Sequence, residues 1–234
     1  PKLLWRTLIG SAETPAGGLY DEITHQILTL HEGTLFCSSN LGVIGAVDAS
    51  SGRLRWVTRY PRTTAIASRP GEADSPLLTR DLCPGLCSQG RLYCAPSDAA
   101  VVMALRESTG EVVWRAEAPA GATYLLGANR ETLFLGGDQL RWLDTETGAL
   151  AARWPDQPRG AENLRSLGRG ILAGEAVLWP TREAIYVLDQ RLGPHREPRL
   201  ARQPIALAAL HGASGGNLVL ADGYLIVAAP DKMY

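Results

Sequence analysis

The sequence lacks the features that mark several large classes of protein. No apolar run approaches the roughly 18 residues that a membrane-spanning helix needs. Among its 234 residues, 24 acidic side chains nearly balance 23 basic ones. A formal net charge of -1 provides no broad attraction for nucleic acid or an anionic membrane surface. We therefore expect no nucleic-acid partner and no membrane insertion of this segment.

Cysteine is scarce, and its spacing favours neither a disulfide nor a zinc site. The cysteines are Cys37, Cys83, Cys87 and Cys94. Cys83 and Cys87 would lie about 13 Å apart in one strand, too far for a bridge, and Cys37 and Cys94 occupy matching places in two repeats. No CxxC pair with nearby histidines exists. We expect buried free thiols, and the redox compartment stays open.

Motifs for catalysis are missing as well. None of the histidines (His25, His31, His195 and His211) has a partner at ligand spacing, so surface or capping roles are favoured over metal binding. The sequence contains no GxSxG nucleophile elbow and no CxxCH for covalent haem. The Gly-rich stretch 212–216 is not followed by the Lys-Ser/Thr of a phosphate-binding loop. We predict no catalytic, cofactor-binding or metal-binding residues.

An internal repeat dominates what is present. The 25 glycines and 15 prolines are typical of many short strands joined by turns. The segment Ala46–Trp56 matches the segment Ala104–Trp114, and each copy follows a predicted hairpin. The predicted hairpin turns are Glu32-Gly33, Gln89-Gly90, Arg130-Glu131, Gly174-Glu175 and Asp222-Gly223. A third strand follows each of the first four hairpins, and the tryptophan-bearing segment is the fourth.

Two further copies of the repeat are degraded. One begins at Trp142 and has Ala152 where the tryptophan would fall, and the other begins at Val187 with Glu197 at that position. The residues that define the repeat are Asp48, Gly52, Trp56, Gly110, Trp114, Asp144, Gly148, Asp189 and Gly193. We interpret all of them as structural.

The chemistry of the repeat explains its residue types. An aspartate at the start of a tight turn can accept backbone N–H bonds from the residues just ahead of it. The glycine supplies a positive φ that a β-carbon would make costly. The tryptophan lies on the outermost strand, where its ring can cover a neighbouring unit and its N–H can reach a carbonyl. Such units pack radially as blades.

The pattern Ala-x-Asp-x-x-Thr-Gly-x-x-x-Trp resembles the tryptophan-docking motif of the quinoprotein-like (pyrroloquinoline-quinone-type) β-propeller family, in particular its BamB-like branch. The resemblance covers nearly the whole chain. It implies an all-β propeller of four-stranded antiparallel blades. Members that bind the quinone carry adjacent cysteines, a catalytic aspartate and glutamate and asparagine ligands for calcium. This sequence has no Cys-Cys pair and no recognisable calcium ligands, so no cofactor is predicted.

The repeat also gives predicted boundaries within a single propeller region. We expect a strand at 1–9, blades at about 19–60, 78–118, 122–155 and 163–203, and a partial blade at 205–234. Propellers of this family usually have seven or eight blades, so the region is interpreted as an excerpt of a longer chain. A self-contained five-bladed ring, closed by the N-terminal strand, is the alternative.

Several functions are compatible with these features. The favoured one is a non-catalytic scaffold that binds protein partners in the bacterial periplasm or cell envelope, possibly within a membrane-attached protein. One alternative is part of a quinoprotein dehydrogenase, which would use pyrroloquinoline quinone and calcium. Another is the ligand-sensing propeller of a receptor kinase. Because propellers bind through their loops, the longest connection, 60–81, is the predicted partner loop, with Arg62, Arg69, Glu72, Asp74 and Arg80.

Overall fold

The computed structural model describes residues 3–11, 27–39, 41–62, 83–119, 121–156, 164–209, 212–229 and 231–234. The chain divides into two compact units, residues 1–118 and residues 119–234, and each is described by itself. Every named element in the described ranges is a β-strand, which confirms the all-β class. Nowhere in those ranges does a helix have the length and apolarity needed to cross a membrane.

The first unit contains two four-stranded antiparallel sheets, called blade I and blade II, whose strands pair in chain order. Their strands are β1 (Leu28–His31), β2 (Thr34–Ser38), β3 (Val43–Asp48) and β4 (Leu54–Arg59) in blade I, and β5 (Leu86–Ser88), β6 (Arg91–Cys94), β7 (Val101–Arg106) and β8 (Val112–Glu117) in blade II. Each sheet is thus a meander, the topology predicted from the repeat.

The second unit contains two more such sheets, blade III and blade IV, and a two-stranded hairpin. Their strands are β9 (Ala122–Ala128), β10 (Thr132–Gly137), β11 (Leu140–Asp144) and β12 (Leu150–Trp154) in blade III, β13 (Ile171–Ala173), β14 (Ala176–Pro180), β15 (Ala184–Asp189) and β16 (Leu200–Ala206) in blade IV, and β17 (Asn217–Ala221) and β18 (Tyr224–Ala228) in the hairpin.

The hairpin turns form where the sequence predicted them. Glu32 and Gly33 have φ of 44° and 71°, and Gln89 and Gly90 have φ of 51° and 71°. Positive φ at both central residues is the geometry of a type I′ turn, whose twist matches that of the flanking strands. The glycine adopts this geometry at little cost. The turn at Asp222-Gly223 follows the same pattern.

Burial differs sharply between the strands of one blade. The third strand of each blade in the first unit is almost wholly buried, as at Ile44 and Val102, both 0% exposed. In contrast, Trp56 is the one buried residue of β4 and Trp114 the one buried residue of β8. The tryptophan ring is therefore the one buried side chain that each of these outer strands contributes, and Val112 adds a partly buried contact from β8.

The apolar core lies between successive sheets. Phe36, Ile44 and Trp56 of blade I form one cluster with Leu92 and Met103 of blade II. A corresponding cluster joins blade III to blade IV, and a third joins blade IV to the β17–β18 hairpin. Within each unit, the apolar side chains of one sheet are therefore covered by the next sheet, and their burial stabilises both.

The N-terminal segment is not paired with a described strand. Residues 3–9 of the predicted strand 1–9 are assigned to no strand, because a strand is defined by pairing and none of the described strands pairs with them. Their side chains nevertheless occupy the docking positions, since the Trp5 indole N–H donates to the carbonyl of Ala49 at 3.2 Å. The tryptophan contact therefore forms without the strand.

Candidate functional site at the blade junctions

The aspartate turns are closed by the carboxylate. Oδ1 of Asp48 accepts hydrogen bonds from the backbone N–H groups of Ser50 and Ser51 at 3.2 and 3.0 Å, and from both hydroxyls. Asp144 binds the N–H and hydroxyl of Thr147 in the same way, each at 2.8 Å. These bonds are the ones that the motif chemistry predicted.

The same contacts set the protonation of both aspartates. A hydrogen bond from Arg55, together with those from Ser50 and Ser51, holds the pKa of Asp48 well below its usual range. The pKa of Asp144 is lowered chiefly by the Thr147 hydroxyl. Both carboxylates therefore stay charged and committed to their turns.

The glycine positions divide into two kinds. Gly52, Gly110 and Gly148 have φ of 72°, 73° and 73°, and each donates its N–H to the carbonyl at the aspartate position of its turn, at 2.8 Å. Gly193 has no positive φ, and its N–H bonds to Glu197 instead, at 2.9 Å. The positive φ of this turn, 61°, belongs to Arg196.

The fourth turn is longer than its sequence suggested. The backbone bond that closes the turn runs from Asp48 to Arg53 in blade I but from Asp189 to Arg199 in blade IV, which adds five residues. The residue at the tryptophan position is therefore Arg202, which lies opposite Val187 as Trp56 lies opposite Ala46. The assignment of Glu197 to that position is wrong.

The indole of Trp56 docks on the next blade. Its N–H donates to the carbonyl of Glu107 at 2.9 Å, and its ring lies against Gly110, where a β-carbon would collide with it. The hydroxyl of Thr58 also donates to the carbonyl of Gly110. Thr7 repeats that contact on Gly52. The Trp-x-Thr spacing is thus a second docking signal, which the sequence analysis missed.

Blade III achieves the same contact from a different strand. Ala152 stands where the tryptophan was expected, and Trp142 lies directly opposite it on β11. The Trp142 indole donates to the carbonyl of Gln190 at 2.9 Å. Gln190 follows the turn aspartate of blade IV, as Glu107 follows the equivalent residue of blade II. The third repeat has therefore kept its docking bond, although its tryptophan moved across the strand pair.

Of the predicted partner-loop residues, only Arg62 lies in the described part of the chain; Arg69, Glu72, Asp74 and Arg80 lie outside it. Nε of Arg62 lies 3.0 Å from Oδ2 of Asp98, and the Tyr60 hydroxyl donates to Oδ1 of the same carboxylate at 2.7 Å. The Asp98 side chain is 2% exposed. Through this pair with Asp98 of blade II, Arg62 fixes the start of the connection 60–81.

Three further side chains meet at the junction of blades I and II. His31 ends β1, Cys87 lies on β5, and Glu107 follows β7. Nδ1 of His31 lies 2.6 Å from Oε1 of Glu107, and this hydrogen bond raises the pKa of His31. Burial, with a smaller effect of Glu107 and Glu32, raises the pKa of the Cys87 thiol to about 12.

The sequence analysis did not bring these three residues together. His31 and Glu107 are 76 positions apart, and each looks isolated along the chain. The available signal was the repeat itself, because the residue after the turn aspartate faces the preceding blade. None of the four cysteines is in a disulfide; Cys37 and Cys94 are buried, and Cys83 and Cys87 are half-buried.

Comparison with known families places this architecture. A family model described as the outer membrane protein assembly factor BamB matches residues 72–229. No curated protein sequence matches the chain at a significant level.

Solved structures share the fold at low sequence identity. The crystal structure of BamB from Moraxella catarrhalis matches with a TM-score of 0.57 and 14% identity over 86% of this chain and 54% of its own. The computationally designed protein Ika8 matches with a TM-score of 0.59 and 12% identity over 87% of this chain and 55% of its own. A quinohemoprotein alcohol dehydrogenase from Pseudomonas putida HK5 matches with a TM-score of 0.51 and 14% identity over 87% of this chain and 41% of its own. The chain thus spans about half the length of these proteins, and the likeness shows a β-propeller fold.

Proposed function

Because the chain belongs to the family of the outer membrane protein assembly factor BamB, we propose that it is a non-catalytic propeller scaffold that binds protein partners through the loops on its blade faces. The observation that carries the proposal is the family match across residues 72–229. By the same reasoning, we place its work in the bacterial periplasm or cell envelope.

The chemistry of the repeat supports binding rather than catalysis. The carboxylates of Asp48 and Asp144 each accept hydrogen bonds from the N–H groups of their own turn. A carboxylate whose pKa is lowered in this way is a weak general base. The chain also carries no adjacent cysteine pair of the kind that quinone-binding members have. The aspartates of the repeat therefore stabilise the backbone of their turns, and we assign partner recognition to the loops.

We propose two surfaces for partner binding. The first is the connection 60–81, whose start is fixed by the buried Asp98 carboxylate. The second is the lengthened turn of blade IV, which lines a depression of about 550 Å³ together with Arg153 and Trp154 of β12. The connection begins at an anchored residue and carries Arg62, Arg69 and Arg80 in its sequence, and arginine is enriched at interfaces.

The partner-binding proposal is tested by cross-linking in the native envelope. A double variant, Arg69→Glu with Arg80→Glu, reverses two charges in the connection, and Arg130→Glu reverses one charge at an exposed turn of blade III. We expect specific cross-linked proteins for the wild type and Arg130→Glu, and at least tenfold less for the double variant. Identical cross-linking by all three would remove the connection from the proposal.

The non-catalytic part is tested by reconstitution. The full chain is incubated with pyrroloquinoline quinone and calcium, desalted, and examined by absorbance, mass and dye-linked oxidation of alcohols and sugars. We expect no stoichiometric retention by a sample whose circular dichroism shows a folded β protein. Retention with oxidation would replace the scaffold by a quinoprotein dehydrogenase.

A further inference from the structure

We propose that His31, Cys87 and Glu107 form a binding site for a zinc ion at the junction of blades I and II. The candidate ligand atoms of the three residues all lie within 4.8 Å of one another. They come from three separate elements, so the site exists only where the two blades meet. A bound ion would connect the end of β1 to β5 and to the turn that follows β7.

The donor set suits zinc. Imidazole nitrogen, thiolate sulfur and carboxylate oxygen are its usual protein ligands, at roughly 2.0–2.3 Å and in tetrahedral geometry. Ligands of such a centre lie about 3.3–3.8 Å apart, which the present spacing of up to 4.8 Å approaches with small side-chain rotations. Three protein ligands leave a fourth position for water.

The His31–Glu107 contact must adjust in the opposite direction. Its 2.6 Å separation must open by roughly 1 Å for both atoms to bind one ion. The His31 side chain is 41% exposed, whereas that of Glu107 is 14% exposed, so rotation falls to the histidine. Glu32 adds negative charge, since it acts electrostatically on both His31 and Cys87.

The junction of blades III and IV shows what the same positions look like without a metal-binding set. Asn129 lies opposite the start of β10 as His31 lies opposite the start of β2, and its amide donates to Gln190 at 3.1 Å. Leu172 occupies the place of Cys87 in the first strand of the blade. The interblade hydrogen bond is thus built from neutral amides there, and a structural contact alone does not require three ligand types.

The test is metal titration of the untagged, reduced full chain after chelator treatment. Zinc binding is followed by calorimetry, and cobalt substitution by absorbance, where a thiolate ligand gives a charge-transfer band in the near ultraviolet. We expect one zinc per chain and a thiolate band. Cys87→Ser should remove the band and weaken zinc binding at least tenfold, whereas Cys83→Ser, a nearby half-buried thiol, should retain both.

The double variant His31→Asn with Glu107→Gln serves as a matched control for folding. It reproduces the Asn129–Gln190 pair, so the blade junction should stay intact by circular dichroism while zinc binding falls at least tenfold. Failure of the folded wild type to bind zinc, or binding that survives Cys87→Ser unchanged, would overturn the proposal. Neither result would bear on partner binding by the loops.

Discussion

The junction of blades I and II and the junction of blades III and IV achieve one contact in two ways. In both, an indole N–H donates at 2.9 Å to the carbonyl that follows the turn position of the next blade. The first junction uses Trp56 on the fourth strand, facing Ala46, and the second uses Trp142 on the third strand, facing Ala152. The same hydrogen bond forms at both junctions, but the tryptophan that donates it lies on a different strand of the blade.

The exchange is possible because the two residues are directly opposite each other in an antiparallel pair. Such residues point to the same face, with Cβ atoms about 4.5–5.5 Å apart. One tryptophan and one alanine fill the same total volume in either order, and cores tolerate volume-conserving changes best. The docking motif is therefore a property of the strand pair.

Removing the indole should have the largest effect. Trp142→Ala deletes a fully buried ring, 0% exposed, and should lower the free energy of unfolding by about 3–5 kcal/mol in urea denaturation. Trp56→Ala should cost the same or slightly less, because its ring is 9% exposed. A loss near zero at either site would mean that the ring does not stabilise the junction.

Two glycines with the same backbone geometry sharpen the comparison. Gly110 and Gly90 have φ of 73° and 71°, but a β-carbon at Gly110 would collide with the Trp56 ring, whereas none of the described atoms lies within 4 Å at Gly90. Gly90→Ala should cost about 1–2 kcal/mol from the backbone alone. Gly110→Ala should cost about 1–3 kcal/mol more. Equal losses in thermal or urea unfolding would contradict close docking.

The smallest effect concerns the turn aspartates. Because the pKa of Asp48 is lower in the folded chain than in the unfolded chain, its stabilisation is full above the unfolded value of about 3.9 and is lost as pH falls through the folded value. Arg55→Met should raise the pKa of Asp48 and leave that of Asp144 unchanged. Carboxyl NMR titration measures both. If the pKa of Asp48 were the same in Arg55→Met as in the wild type, Arg55 would have no part in the turn.

The sequence predicted the hairpins and the short turns because their signals are local. Glu32-Gly33 and Gln89-Gly90 fix type I′ turns by themselves. The turn of blade IV escaped prediction because its positive φ belongs to Arg196, a residue type that gives no such signal. Gly193 was matched by spacing, although the chain runs five residues further before β16 pairs.

The docking role of Trp142 and the cluster around His31 were not predicted from the sequence, for a different reason. Both depend on contacts between blades, and the sequence alone gives no distance between residues of different repeats. The sequence analysis correctly placed Ala152 at the tryptophan position of the third repeat. Only the register of β11 against β12 shows that Trp142 lies opposite it.

The most direct test moves the ring back. The double variant Trp142→Ala with Ala152→Trp restores the arrangement of blade I in blade III, and its free energy of unfolding is compared with that of Trp142→Ala alone. If docking is a property of the strand pair, the second change should recover at least half of the loss. A double variant no more stable than Trp142→Ala would show that the indole stabilises blade III only from β11.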